Sequence, residues 1–575
     1  MQTRQTLADI QHLLTTVLKA PTRWQGLAPF ADTDGDLATQ VLDEAAKFVD
    51  SAIAPLQRSG DEEGCRFDGG QVHTPAGFRD AYQAFWQAGW PSLSCAPDDG
   101  GQGLPAVLEC VLFEWLAGAN HGWTMAPGLL HGAYECIKHH ASDELKAQYL
   151  EKVATGEWLA TMCLTEAHAG SDLGMVRTRG VPQPDGSARV NGRKIFISGG
   201  EHDLTDNIVH LVLARLPDAP AGPKGLSLFL VPKVLPDGSR NAVVCERIEE
   251  KMGLHGSPTC VMRFDDATGW LVGEPNKGLN AMFVMMNAAR LHVGLQGIGL
   301  LEAAWQKAST YAAERRQMRA PGAKDTSLIQ DHPAIRRILH TQRAWIDGGR
   351  VLAYHTALQL DVAKHSTDAG ERAAAQRWCA LVTPVLKAAL TDQAFHGASA
   401  CLQVFGGHGY VREWGIEQIV RDARVAMIYE GTNEIQAIDL LVRKVLADGG
   451  QGLGALLGSL PGAAPSAAAS ARRHALVEIT QTLAIAAQSD PELPYWVADD
   501  YLRAVALVLL EWAWAQISAA RPHRTEQSTA ATDRWTPPAQ AFAQWVLPEF
   551  DLRTTILRQR IAQAFEFRPQ EAASA

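Results

Sequence analysis

The segment IYEGTNEI (428–435) sets a carboxylate, Glu430, just before a glycine and the start of a helix that Thr432 can cap. A carboxylate projecting from such a turn can take or give a proton. Alone it has a weak claim, because most glutamates are simply solvated. Five further segments carry groups of the kind that binds a nucleotide or a flat heterocycle. MCLTEAHAGSDLG (162–174) places small residues, Thr165 and Ser171 where a strand ends in a turn, exposing N–H groups and hydroxyls; by itself it is more often a plain strand-terminating loop. KIFISGG (194–200) offers Phe196 as a flat surface and Ser198 as a donor, within what is otherwise only a strand. NAAR (287–290), opening a long helix, supplies Arg290, whose guanidinium fits phosphate but which by default is a surface arginine. ERR (314–316) closes that helix with two cations that either neutralise a pyrophosphate or complement the helix dipole. QVFGGHGY (403–410) has three glycines in four residues, which break a helix and permit close backbone approach. It does not follow a strand, so it is not the strand–turn–helix dinucleotide fingerprint.

These groups need a scaffold, and 575 residues suffice for several domains. With 46% hydrophobic and 20% charged residues the composition is globular. A formal net charge of −11 argues against nucleic acid as the main partner, whereas a nucleotide-bearing small molecule needs only a few placed cations. The nine cysteines are odd in number, with no Cys-x-x-Cys pair and no metal spacing, and read as reduced, mostly buried thiols of a cytoplasmic protein without a metal site. The N-terminus lacks a secretory apolar core. Its Leu7, Ile10, Leu13, Leu14, Val17 and Leu18 recur at helical spacing and predict an amphipathic helix packed on the body. The most apolar later run, 504–510, is too short to cross a bilayer, so no membrane span is expected.

Apolar residues three and four apart predict helices over 37–53, 77–88, 106–119 and 142–154. Alternating or wholly apolar runs at 194–197, 208–213, 226–231 and 260–264, divided by turn-rich pieces, predict a β domain. Helices return over 281–311, 334–363, 370–405 and 432–446. The stretch 449–471, rich in Gly, Ala, Ser and Pro, reads as a flexible linker before helices over 473–487, 498–520 and 539–565. The expected organisation is mainly α with a β domain: N-terminal helices (1–158), a central β domain (159–277), a helical bundle carrying Glu430 (278–448), the linker (449–472) and a helical C-terminal extension (473–575).

In this order and spacing, the six segments resemble the acyl-CoA dehydrogenase family over about residues 40 to 447. The α, β, α order is also that family's architecture: N-terminal helical domain, central β-barrel-like domain and C-terminal four-helix bundle. The resemblance implies FAD bound in extended form between the β and C-terminal helical domains. Met162, Leu164, Thr165, Gly170 and Ser171, with Phe196 and Ser198, match positions that hold the isoalloxazine ring. Arg315, Gln317, Gln403, Gly406 and Gly407 match the adenine-nucleotide contacts, partly supplied by a neighbouring subunit. Thr432 and Glu434 match further flavin contacts, while Asn287, Arg290, Ser171 and Gly431 match positions that touch the acyl-CoA. Glu430 falls where many members carry the base that removes the substrate α-proton. Hydrogen bonds from a flavin ribityl hydroxyl and the Glu430 N–H would stabilise the developing enolate, and water exclusion would raise the pKa of Glu430. The β-hydride then passes to the flavin, leaving a trans-2-enoyl-CoA, with electrons going on to electron-transfer flavoprotein. A homodimer or homotetramer is implied.

The chain departs from the pattern at Met318 and Arg319, where many members carry an aromatic and a glycine, and at His332–Pro333, where many carry a glutamine. The extension, ADDYLRAVALVLLEWAWAQI, resembles the long subgroup that includes 3-methylmercaptopropionyl-CoA dehydrogenase. That substrate, or another short or substituted acyl-CoA, is therefore open. The rivals are an acyl-CoA oxidase that reoxidises with oxygen, a flavin-bearing nucleic-acid-binding stress protein using Arg553, Arg558 and Arg560, and an inactive paralogue. The net charge and the Glu430 turn weigh against the last two.

Overall fold

The structure is a computed structural model that describes residues 2–520 and 533–566; within the predicted extension, 521–532 and 567–575 lie outside the described residues. The chain forms two compact units. One comprises residues 2–4 and 40–292, the other residues 5–39 and the chain from Val293 on.

In the first unit the helix Ala106–Thr124 forms where apolar periodicity predicts one. It is buried almost throughout, because Val107, Leu108, Val111, Leu112, Trp115 and Leu116 leave it no polar face. Two acids, Glu109 and Glu114, are buried with it. Ser142 caps Asp143–Thr155, accepting from the Leu145 N–H, and Asp143 and Glu144 sit in the first turn where the dipole favours them.

A small hairpin, β1 (Arg66–Asp68) and β2 (Gln71–His73), precedes a seven-stranded sheet. The sheet comprises β3 (Leu159–Cys163), β4 (Arg179–Pro182), β5 (Ala188–Ser198), β6 (Ile208–Arg215), β7 (Leu226–Pro232), β8 (Val243–Ile248) and β9 (Thr259–Val272). β6 runs parallel to β3 and antiparallel to β7, and meets β4 at the single pair Arg179–Arg215. β9 is antiparallel to β5, β7 and β8. β6 and β7 are buried on both faces, which is why their sequences run apolar rather than alternating. The sheet core gathers Cys163, Val190, Ile197, Val212, Phe229, Met262 and Phe264.

The second unit is helical. Its long elements are Gly278–Glu314 from Val293 on, Pro333–His365 and Ala369–Val404, followed by Ile416–Arg424 and Asn433–Ile438. Pro333 is tolerated because it opens its helix, where a missing N–H costs nothing. The N-terminal helix Arg4–His12 joins this unit, and Arg534 of the extension donates to Asp9 on it at 2.8 Å.

Two expectations change. NAAR does not open its helix; that helix begins at Gly278, since nothing between Gly278 and Asn287 breaks the pattern. The stretch expected as a flexible linker contains the helix Gln451–Gly458, which buries Leu453, Leu456 and Leu457; its glycines masked that apolar periodicity. The apolar run at 504–510 is the middle of a 22-residue helix, Ala498–Ala519, which by length and composition is apolar enough to cross a membrane. It is mostly buried, packing on Pro333–His365, Ala369–Val404, Asn433–Ile438 and Glu549–Glu566. Trp514 Nε1 donates to the Ala344 carbonyl at 3.1 Å, and Arg503 lies 4.4 Å from the Trp345 ring. All nine cysteines are free thiols, seven of them buried.

Candidate functional site

The predicted site residues fall into groups that belong to different units. In the first unit, β3 ends at Cys163 with Met162 buried in it. Leu164 and Thr165 are half-buried beyond it, and Gly170 and Ser171 are exposed. The loop is fixed to β5: Ile195 N–H donates to the Thr165 carbonyl at 2.9 Å. Lys194, with no exposure, donates to the Leu164 carbonyl and to Glu166 Oε1, both at 2.9 Å. Glu166 also accepts from the N–H groups of Arg177 and Thr178 and from the Thr178 hydroxyl. Burial pushes its carboxyl up, but the Lys194 ammonium and these hydrogen bonds outweigh it and hold Glu166 below the usual range.

Lys194 and Glu166 brace this loop, and sequence reasoning missed both. Lys194 and Phe196 stand two residues apart and would share a face of a regular strand. A register break between Lys194 and Ile197 separates them, sending Lys194 inward. Phe196 points out, 60% exposed, with φ at 59°. A phenylalanine both exposed and left-handed is doubly disfavoured unless something outside the chain uses it. Ser198 ends β5, half-buried. Asn287 is exposed, and Arg290 is buried with Nη1 3.4 Å from Asn287 Oδ1.

In the second unit a cavity of about 510 Å³ is lined by Arg315, Gln317, Gln403, Gly406 and Gly407, together with Met318, His332 and His408. All five predicted adenine-side residues therefore meet in one place. So do Met318 and His332, at which the chain departs from the family pattern. Tyr311 stacks on Phe405 with centroids 4.4 Å apart, and its hydroxyl is 2.9 Å from His408 Nδ1. Met318 is left-handed, φ 57°, and 78% exposed. A Cβ added to Gly407, or to Gly170 in the other unit, would meet nothing within 4 Å, and neither has positive φ. The fold itself does not require glycine at either position, which fits a ligand passing close to the backbone.

Glu430 is half-buried on a turn at φ 56°, followed by Gly431 at φ 83°. The turn is held from three sides. Tyr429 donates through its hydroxyl to Gln296 Oε1 at 2.6 Å, Gln436 Nε2 donates to the Glu430 carbonyl at 3.0 Å, and Lys387 Nζ donates to the Gly431 carbonyl at 2.8 Å. Thr432 caps the following helix, accepting from the Ile435 N–H, while Glu434 is exposed in its first turn. Burial, and after it the charge of Glu430, pushes the Tyr429 phenol up, so it stays a neutral donor.

A further polar cluster lies inside the first unit. Glu109 Oε2 is 3.1 Å from His131 Nδ1 and accepts from Ser94, while His292 Nε2 is 4.0 Å from Glu109 Oε1. Of the arginines in the extension, Arg553 is paired with Asp500 and Glu549, while Arg558 and Arg560 are exposed.

The acyl-CoA dehydrogenase N-terminal, middle and C-terminal domain families match residues 36–157, 161–267 and 276–445. The chain is 46% identical over 434 residues to 3-methylmercaptopropionyl-CoA dehydrogenase of Ruegeria pomeroyi, covering 74% of each. It is 37% identical to the broad-specificity linear acyl-CoA dehydrogenase FadE5 of Mycobacterium tuberculosis, covering 74% of this chain and 73% of that one. A solved acyl-CoA dehydrogenase from Bacillus anthracis, complexed with FAD, has the same fold with a TM-score of 0.74 at 21% identity, over 93% of this chain and 92% of that one.

Proposed function

The chain belongs to the acyl-CoA dehydrogenase family, and from that premise we propose that Glu430 is the base of its FAD-dependent α,β-dehydrogenation of an acyl-CoA thioester. The observation that carries this is the turn at Glu430: a non-glycine residue kept at φ 56° and clamped on both sides, the kind of local strain that survives where geometry is used. Bound FAD supplies the hydride acceptor. The chain's own residues do the rest.

Arg315, Gln317, Gln403, Gly406 and Gly407 hold the adenine nucleotide, two glycines giving close approach and the guanidinium the charge. Met162, Leu164, Thr165, Gly170, Ser171, Phe196 and Ser198 frame the ring, with Lys194 and Glu166 fixing that frame and Thr432 and Glu434 adding contacts. Asn287, Arg290, Ser171 and Gly431 hold the acyl-CoA. The Glu430 carboxylate takes the α-proton, and its N–H, oriented by the clamped turn, donates to the thioester oxygen as negative charge grows there. Exclusion of water by bound substrate raises the carboxylate's proton affinity at the moment it must act.

The same reading takes the sheet as barrel-like, supported by β6 pairing with both β4 and β7, and the helices after Gly278 as a four-helix bundle within a homo-oligomer. It assigns a short or substituted acyl-CoA as substrate, 3-methylmercaptopropionyl-CoA first, on the strength of the Ruegeria relative. It further assigns electron-transfer flavoprotein as acceptor, a cytoplasmic site and no nucleic-acid partner. The test is anaerobic bleaching of the yellow protein against a panel of acyl-CoAs that includes the methylthio substrate and straight-chain controls. Bleaching by none of them would defeat the reading. Stoichiometric peroxide per enoyl-CoA in air would replace the flavoprotein acceptor with oxygen.

A further inference from the structure

The Glu430 turn rests on a charge that the sequence did not single out. Lys387 lies in the helix Ala369–Val404 and has no solvent exposure. Its Nζ donates to the Gly431 carbonyl at 2.8 Å and to Asn433 Oδ1 at 2.9 Å. Asn433 is buried, and its amide nitrogen is 3.2 Å from both the Ala388 carbonyl and the Thr391 hydroxyl. One turn of the long helix thus holds both the carbonyl of Gly431 and the side chain of Asn433, just after Glu430. The Gln436 amide also reaches the Gly431 carbonyl, at 3.4 Å, but the shorter contact is from the buried lysine, a side chain that is costly to bury.

We propose that Lys387 is a positioning residue for Glu430: it holds the carbonyl of Gly431, so that Glu430 keeps its left-handed backbone and aims its carboxylate and N–H at the substrate. The proposal rests on the reading of Glu430 as the base.

The test uses the FAD-loaded full chain and an acyl-CoA that bleaches it, comparing wild type with Lys387→Met, Lys387→Arg and Glu430→Gln. Lys387→Met is expected to bind FAD and acyl-CoA as wild type does, with kcat lower by about 10- to 100-fold and KM little changed. Lys387→Arg should recover part of kcat. If Lys387→Met keeps wild-type kcat while Glu430→Gln is inactive, the proposal fails and the base reading stands. Turnover by Glu430→Gln would instead defeat the base reading itself. A parallel loss of melting temperature, FAD and KM in Lys387→Met, with no recovery of kcat in Lys387→Arg, would mark a merely structural lysine and overturn the proposal. Should Lys387→Met yield no folded flavoprotein, Gln436→Met carries the test from the other side of the turn. A fall in its kcat at constant KM supports the clamp, and no fall overturns it.

Discussion

The Arg534 guanidinium lies 2.5 Å from the carboxylate of Asp347, a residue with no exposure in the helix Pro333–His365. Arg343 reaches the same carboxylate at 2.6 Å and Glu302 at 2.7 Å, and Arg350 lies 3.0 Å from Glu302. Two buried acids and two buried arginines thus share charge, and Arg534 brings the C-terminal extension into the network. Burial pushes the Asp347 carboxyl up, but the charges of Arg343 and Arg534 outweigh it and hold it at about 2.

Arg534→Ala should therefore destabilise the protein by about 1–3 kcal/mol at neutral pH, less than for a fully buried partner because Arg534 is partly exposed. The sign with pH follows from the depressed carboxyl. The stabilisation is present above the ordinary value of 3.8 and lost as pH falls towards 2. Urea titrations at pH 7 and pH 3 should show the gap between wild type and variant closing at the lower pH.

Glu430→Gln should keep its fold and flavin and lose about 10²- to 10⁴-fold in kcat. Glu430→Gly should be just as inactive yet melt no lower than Glu430→Gln, because glycine adopts φ 56° freely. A glycine variant that melts well below the glutamine one would show that the turn carries no strain.

Gly407→Val separates folding from cofactor binding. Nothing in the chain lies where its Cβ would go, so the melting temperature of the apoprotein should be unchanged while FAD affinity falls at least about tenfold. Titration of apoprotein with FAD, read by flavin fluorescence, measures this directly.

Lys194→Met leaves the Glu166 carboxylate buried without its cation. The expected cost is about 3–5 kcal/mol, together with FAD loss, because the loop 164–171 is then held by fewer contacts. The ratio of visible to ultraviolet absorbance after dialysis, alongside a thermal melt, reads both effects.

The Glu109–His131 pair predicts a stability plateau. Burial pushes Glu109 up, but His131, with His292 after it, holds it at about 2. Burial lowers His131, but Glu109 outweighs that and raises it well above 6.5. The Glu109 contribution is complete above 4.5 and fades towards 2; that of His131 is complete below 6.5 and fades as pH passes its raised value. His131→Gln should thus lower the melting temperature most between pH 4.5 and 6.5, and progressively less at alkaline pH.

Much of this was legible before any coordinates. Residues Arg315 and Gln403 lie far apart in sequence, and both line one cavity. Helix and strand texture was readable because apolar spacing reflects one-sided burial. What escaped was whatever depends on a local irregularity or on a buried charge. Lys194 looked like one face of a strand with Phe196 until a bulge separated them. Lys387 looked like any lysine in an alanine-rich helix. The helix Gln451–Gly458 hid behind three glycines, whose poor helix propensity is overridden by burial of its leucines.

The helix Ala498–Ala519 packs against Asn433–Ile438, the short helix that Glu430 precedes. The family's C-terminal domain match ends at residue 445, before the extension begins. The boundary drawn by ancestry is therefore not a boundary of cooperativity. A fragment cut there would uncover Trp345, Trp378 and the short helix that follows the Glu430 turn. Its failure to work would say nothing about whether the extension touches substrate. Deletion of the extension would therefore leave the apolar surface of Pro333–His365 and Ala369–Val404 that it now covers open to water, so any truncation reports on solubility before it reports on chemistry.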